Sequence, residues 1–253
     1  EKRYGENSLY ADGVTINSTI DPAIQAFADS VAVVQVNKVR RRIKQRFNRK
    51  FGMAKKFDMV DDSVLVHFDS LFASVRKDYE AKHGKMPDSL VYHEAEIAAI
   101  LVENETGAIR AEVGGSDWNK SRWNRARQSL RQPGSSFKPI VYSTAISSGA
   151  SPCDSVNDAP ITIEDQDKVV DGKVEKQTWR PANFEHDFEG MMTLRRALYR
   201  SKNLPAILTA QKYGLNNVVN YARKFGIQKA PLQAVPSMAL GSIGATLMEM
   251  TSA

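Results

Sequence analysis

The tightest constraint on this chain lies at residues 133–146. Pro133-Gly134-Ser135-Ser136-Phe137-Lys138-Pro139 runs straight into Ile140-Val141-Tyr142-Ser143-Thr144-Ala145-Ile146. Gly134 allows a tight turn, and Pro139 falls where a first helical turn accepts proline. The segment reads as a helix that opens at a serine and is apolar enough to be buried, so the fold must place other elements around it.

Ser135 and Lys138 stand three residues apart, and residues so spaced share a helical face. A serine hydroxyl is a poor nucleophile until a base takes its proton. Lysine can be that base if burial or nearby positive charge lowers its pKa. Backbone N–H groups at the helix start can also stabilise a developing oxyanion. The competing structural reading is a capping serine beside an exposed lysine. Spacing alone decides little, because Ser74-Val75-Arg76-Lys77 repeats it in a charged helical stretch that reads as a solvated face. A second triplet, Ser201-Lys202-Asn203, supplies another hydroxyl and an amide. It too has a double, Ser155-Val156-Asn157, in a turn-rich stretch that favours Ser and Asn for their turn chemistry.

Other chemistries have no visible carrier. The single cysteine, Cys153, excludes an internal disulfide, and it reads as a small buried or half-buried side chain rather than a reactive thiol. None of the four histidines (His67, His83, His93, His186) has a partner four residues on, and no nucleotide-binding glycine motif occurs. No cofactor and no metal are therefore expected. The net charge of +6 is local: ten Lys or Arg and no acid lie between Lys38 and Lys56, and the remaining residues sum to −4. No stretch approaches the ~18 apolar residues of a membrane span.

The element pattern predicts an α+β fold with an under-filled sheet. Gly13 to Ile20 alternates as a strand, and Asp21-Pro22 starts a helix. Val39, Ile43, Phe47 and Phe51 form a narrow apolar stripe on a basic helix. Glu96–Val102 and Ala108–Val113 read as a hairpin across Asn104-Glu105-Thr106-Gly107. Helical patterns return at 193–198, from 205 to 225 with a break at Gly214, and at the end of the chain. These divide it into a linker at 1–30, a charged, mainly helical insertion at 31–91 and a main domain at 92–253. Trp179, Arg180 and Asn183 read as cleft edge or loop, and His186 as a solvated loop residue. Met191, Met192, Met248 and Met250 read as core filler.

S-x-x-K, S-D-N and K-T-G form the motif set of serine β-lactamases and penicillin-binding proteins. Trp123-Asn124-Arg125-Ala126 followed by the unbroken run Arg131–Pro139 resembles the nucleophile region of class A penicillin-binding proteins. So do Val156–Pro160, Trp179-Arg180-Pro181, Leu194–Ala206, Tyr221–Ile227 and Ala239-Leu240-Gly241. Ser18–Pro22 with Gln25 is similar to the segment linking that family's two catalytic domains. The likeness covers 92–253 well and 13–30 loosely; residues 31–91 are not matched to it.

The resemblance implies a β-lactamase/transpeptidase-like three-layer α-β-α domain acting in bacterial peptidoglycan synthesis. Ser135 would attack the D-Ala-D-Ala carbonyl of a stem peptide, with Lys138 as base and Ser201 as proton relay. Asn203 would hold the peptide amide or the Lys138 amine. Stem peptides and β-lactam antibiotics are the implied partners, and no nucleic acid is expected. No Lys-Thr-Gly or Lys-Ser-Gly occurs in the chain. The domain is therefore expected to be C-terminally incomplete, and the isolated chain inactive. The parent is expected to be anchored on the periplasmic or extracytoplasmic face of the bacterial inner membrane and to carry a glycosyltransferase domain absent here. A serine β-lactamase-like hydrolase is one alternative, although no carboxylate can be assigned to hold its deacylating water. Anionic-surface or nucleic-acid binding through residues 38–56 is another.

Overall fold

Asp21 begins the longest element. Its Oδ1 accepts the N–H groups of Ala23 and Ile24 at 2.9 and 3.1 Å, and Pro22 occupies the first helical position. Helix α1 then runs Pro22–Phe51, because neither glycine nor proline interrupts it until Gly52, which closes it at φ 57°. The computed structural model describes residues 17–164, 168–170, 173–175 and 178–253. It divides into two compact units, Glu1–Ala126 and Arg127–Ala253.

In the first unit, α1 packs against two cores. Its N-terminal half buries Ala28 and Ala32 with Ala111 and Val113 of a hairpin, β1 (Ala99–Val102) and β2 (Ile109–Val113). Gln25 fixes the register: it accepts the Glu112 N–H at 2.8 Å and donates to the Glu112 carbonyl at 3.1 Å. The C-terminal half of α1 packs with α2 (Asp61–Val66) and α3 (Phe68–His83). There Phe47 meets Phe72 edge-on at 5.4 Å, Phe68 stacks on Phe72 at 5.6 Å, and Tyr92 closes on Phe68 at 4.8 Å. Removing one such buried ring would cost about 3–5 kcal/mol. Arg40, Arg41, Lys44 and Lys56 pair with Glu94 and Glu96, Asp62, Asp69 and Asp78.

In the second unit, α4 (Lys138–Ser147) is apolar all round and lies between two clusters. Phe137, Ile140 and Val141 pack with Ile207, Ala210, Val218 and Ala222, and Tyr142 and Ala145 pack with Leu194, Ala197 and Ala206. These partners come from α5 (Leu194–Tyr199), α6 (Asn203–Tyr213) and α7 (Leu215–Lys224). A capping box, Thr246 with Glu249, starts α8 (Leu247–Ser252). Four antiparallel ladders are present among the described residues, each two-stranded. They are the β1–β2 hairpin and three ladders in this unit: β3 (Ser155–Asp158) with β8 (Gly190–Thr193), β4 (Ile163–Glu164) with β7 (Thr178–Trp179), and β5 (Lys168–Val170) with β6 (Lys173–Glu175).

The architecture is α+β, and the sheet is sparse as expected. Several local expectations change. Of the strand expected at 13–20, residues 13–16 lie outside the described residues, and 17–20 are not in a strand. The expected boundary at 30/31 falls inside α1, and the one at 91/92 falls inside the first unit. Val39 is 44% exposed because the buried face has turned away from it, whereas Ile43, Phe47 and Phe51 are part-buried. Cys153 is exposed, since it sits in the turn between α4 and β3. Met191 is 68% exposed while its neighbour Met192 is buried, as alternation along β8 requires.

Candidate active site

Two glycine backbones set the position of Ser135. Gly134 has φ 56° and donates its N–H to the Gly241 carbonyl at 3.3 Å. Gly241 has φ 67°, and a β-carbon added there would lie 2.2 Å from the Gly134 carbonyl oxygen. No other residue type fits that contact. From Gly134 a 3₁₀ turn runs to Phe137, whose buried ring pins it, and α4 follows. Ser135 is thereby exposed, and its N–H lies at the helix start, where it has no intrahelical acceptor.

Lys138 is 1% exposed. Its ammonium donates to the Ser201 carbonyl, to Ser201 Oγ at 3.2 Å and to Asn203 Oδ1 at 2.8 Å. Burial lowers its pKa to about 8. No carboxylate bonds to this amine among the described residues, so nothing holds it fully charged. Two of its three acceptors can only accept. The Ser201 hydroxyl alone can reverse and donate to a neutral amine.

Ser201 is held by a helix C-cap. Helix α5 ends in a Schellman arrangement, with Ser201 N–H bonded to the Leu198 carbonyl at 2.9 Å and Lys202 N–H to the Ala197 carbonyl at 3.0 Å. Ser201 fills the left-handed position at φ 54°, where glycine is usual. The strain is the kind found where the backbone is held for a side chain's sake.

Below this turn lies a polar network that sequence reading missed. Asn183, expected at a cleft edge or in a loop, is buried and clasps the site. It accepts the Asn203 N–H at 2.9 Å and donates to Asp158 Oδ1 at 2.7 Å and to the Asp187 carbonyl at 2.8 Å. Lys202 is also buried. Its ammonium bonds Asp187 Oδ1 at 2.7 Å, with Glu189 at 3.3 Å and Asp158 at 3.6 Å. The Asp187 hydrogen bond, above all, raises the Lys202 pKa. Hydrogen bonds from Arg196 and Arg200 hold Glu189 down to about 2. Asn203 Nδ2 donates to the Ala182 carbonyl at 2.9 Å, which fixes its amide with Oδ1 toward Lys138.

Ser135, Ser201, Asn203 and Asn183 thus line one cleft of about 370 Å³, rimmed by Phe184 and Arg200, with Lys138 behind its wall. All four residues singled out in sequence converge there. The two doubles do not: Ser74 and Lys77 are exposed on α3, and Ser155-Val156-Asn157 lies in β3 rather than in a turn. A hydroxyl at a helix start, a second hydroxyl and a lysine lowered toward neutrality can together perform serine acyl transfer.

A family model described as the penicillin binding protein transpeptidase domain matches residues 97–244. Penicillin-binding protein 1A of Pseudomonas aeruginosa is 42% identical over 161 residues, which is 63% of this chain and 18% of that protein. The protein of the same name from Neisseria meningitidis serogroup B is 41% identical over 156 residues, 62% of this chain and 19% of that one. The chain therefore spans less than a fifth of these relatives' length. The crystal structure of penicillin-binding protein 1A from Haemophilus influenzae superposes with a TM-score of 0.55 at 34% identity, over 61% of this chain and 22% of that one. The penicillin-binding protein PonA1 from Mycobacterium tuberculosis shares the fold over 98% of this chain and 51% of its own, with a TM-score of 0.57 at 19% identity.

Proposed function

The chain belongs to the family of penicillin-binding protein transpeptidase domains, and from that premise we propose that it carries the serine acyl-transfer site of a peptidoglycan D,D-transpeptidase. Ser135 Oγ attacks the carbonyl between the two D-alanines of a stem peptide. Its proton passes to the neutral Lys138 amine, directly or through Ser201. The C–N bond then breaks, the terminal D-alanine leaves with that proton, and an ester on Ser135 remains. The amine of a second stem peptide attacks the ester and yields its proton to Lys138. A new amide forms, and Ser135 recovers its hydroxyl. A β-lactam follows the first half of this path, with its ring C–N bond as the one that breaks. Asn203 holds the Lys138 amine in line with Ser201.

The observation that carries this reading is the Lys138 amine, buried with no acid bonded to it among the described residues and bonded to a hydroxyl able to reverse. These 253 residues contain no Lys-Thr-Gly or Lys-Ser-Gly to bind the substrate carboxylate. In the family that motif lies on a strand that also supplies an oxyanion N–H, so the proposal includes acylation by this chain alone at least about 10²-fold slower than in a protein that carries it, the cost of losing one such donor. It also places the site outside the cytoplasm beside the membrane, in a protein that carries a glycosyltransferase domain as well.

The pH profile tests the base. With a pKa of about 8, roughly a tenth of Lys138 is neutral at pH 7. The Ser135 acylation rate should rise with pH up to about 8 and then level. A flat or falling profile between pH 7 and 9, with the fold intact, would remove Lys138 from that role.

A further inference from the structure

Helix α1 contains one acid, Asp29, and a dense set of cations toward its C-terminal end. The structure sorts those cations, together with Lys55 and Lys56 just beyond the helix, into two groups. Arg40, Arg41, Lys44 and Lys56 form ion pairs with carboxylates of the same unit. Lys38, Arg42, Arg46, Arg49, Lys50 and Lys55 are exposed and form no ion pair among the described residues. Charge pairing inside the fold therefore explains only the first group.

The second group lies in line with something else. At 3.6 residues per turn, Lys38, Arg42 and Arg49 share one face of α1, and Arg46 flanks it. Toward the N-terminus the same face carries Phe27, Val31 and Val34, which are 69%, 39% and 50% exposed. Asp29 lies about half a turn away from them. One side of this 30-residue helix, about 45 Å long, thus presents an apolar stripe that continues into a cationic stripe with no acid on it.

We propose that this face of α1 docks on an anionic lipid surface. Phosphate headgroups would neutralise the unpaired cations, and Phe27, Val31 and Val34 would enter the boundary between headgroups and acyl chains, as amphipathic interfacial helices do. A nucleic acid would leave Val31 and Val34 unused, since valines offer nothing to phosphates and cannot stack on bases. No helix among the described residues is long and apolar enough to cross a membrane.

The test is sedimentation of the whole chain with vesicles of phosphatidylcholine, with and without about one-third phosphatidylglycerol. Circular dichroism would confirm that each variant is folded. The expected result is binding to the anionic vesicles only, weakened as salt shortens the Debye length from about 10 Å at 0.1 M to about 3 Å at 1 M. Arg42→Ala with Arg46→Ala should lower the partition about 30-fold, at about 1 kcal/mol per cation. Phe27→Ser with Val34→Ser should lower it tenfold or more. Arg41→Ala with Lys44→Ala, at positions already paired, should leave it within about twofold. Equal binding to neutral vesicles, no binding by the folded chain, or indifference to Arg42 and Arg46 would overturn the proposal. So would tighter binding to duplex DNA that Phe27→Ser leaves unchanged.

Discussion

Ser201 carries two obligations that conflict. As the last turn of α5 closes, it must hold φ 54°, which costs a residue with a β-carbon about 1–2 kcal/mol relative to glycine. As the Lys138 partner, it must keep its hydroxyl. Ser201→Gly should therefore stabilise the protein by about 1 kcal/mol, a rise of about 2–4 °C in Tm for a chain of this size. The same change should slow acylation of Ser135 by about 10²-fold or more. Ser201→Ala should lose the same activity without the gain in stability. Paired melting curves and acylation rates would check both. A Ser201→Gly variant that melts lower than wild type would show that the left-handed turn is not strained.

At the scale of elements, the site depends on two contacts between segments far apart in sequence. Gly241, at the end of a short 3₁₀ helix, leaves room for the Gly134 carbonyl beneath Ser135. Gly241→Ala should push that backbone away. A displacement near 1 Å at the nucleophile is worth about 10²-fold in rate, and alanine at φ 67° adds about 1 kcal/mol of instability. Acylation kinetics beside urea unfolding would separate the two effects. The second contact is Lys202 among Asp158, Asp187 and Glu189. Lys202→Met would leave the fully buried Asp158 without its cation, at a cost of about 3–5 kcal/mol near pH 7. Urea midpoints of wild type and Lys202→Met at pH 7 would show the loss; a variant as stable as wild type would contradict the ionic reading.

For the molecule as a whole, what was legible in sequence depends on the range of the interactions. The α+β class, the start of α1 and the helix at Ser135 rest on caps and periodicity within a few residues, and all three are present. That Ser135, Lys138, Ser201 and Asn203 come together was legible because two short motifs and their flanking residues carry them. Asn183, Asp158, Asp187 and Glu189 were not, since the contacts that join them to Lys202, Asn203 and Asp158 span 13 to 44 residues and leave no local pattern. The same limit hid the division of the basic segment into paired and unpaired faces, because its carboxylate partners lie 21 to 56 residues away. The boundary expected at 30/31 failed to mark a break because composition changes there while helix propensity does not.

The central claim is that Ser135 is the acylated residue of a penicillin-binding transpeptidase site. Intact-protein mass spectrometry after incubation with a fluorescent penicillin tests it most directly. The chain would be compared with a version joined to the C-terminal remainder of the Pseudomonas aeruginosa relative, each with and without Ser135→Ala. The expected result is a single adduct on the joined protein, abolished by Ser135→Ala, and far slower labelling of the chain alone. An adduct that survives Ser135→Ala, or a folded joined protein that takes no label, would contradict the assignment.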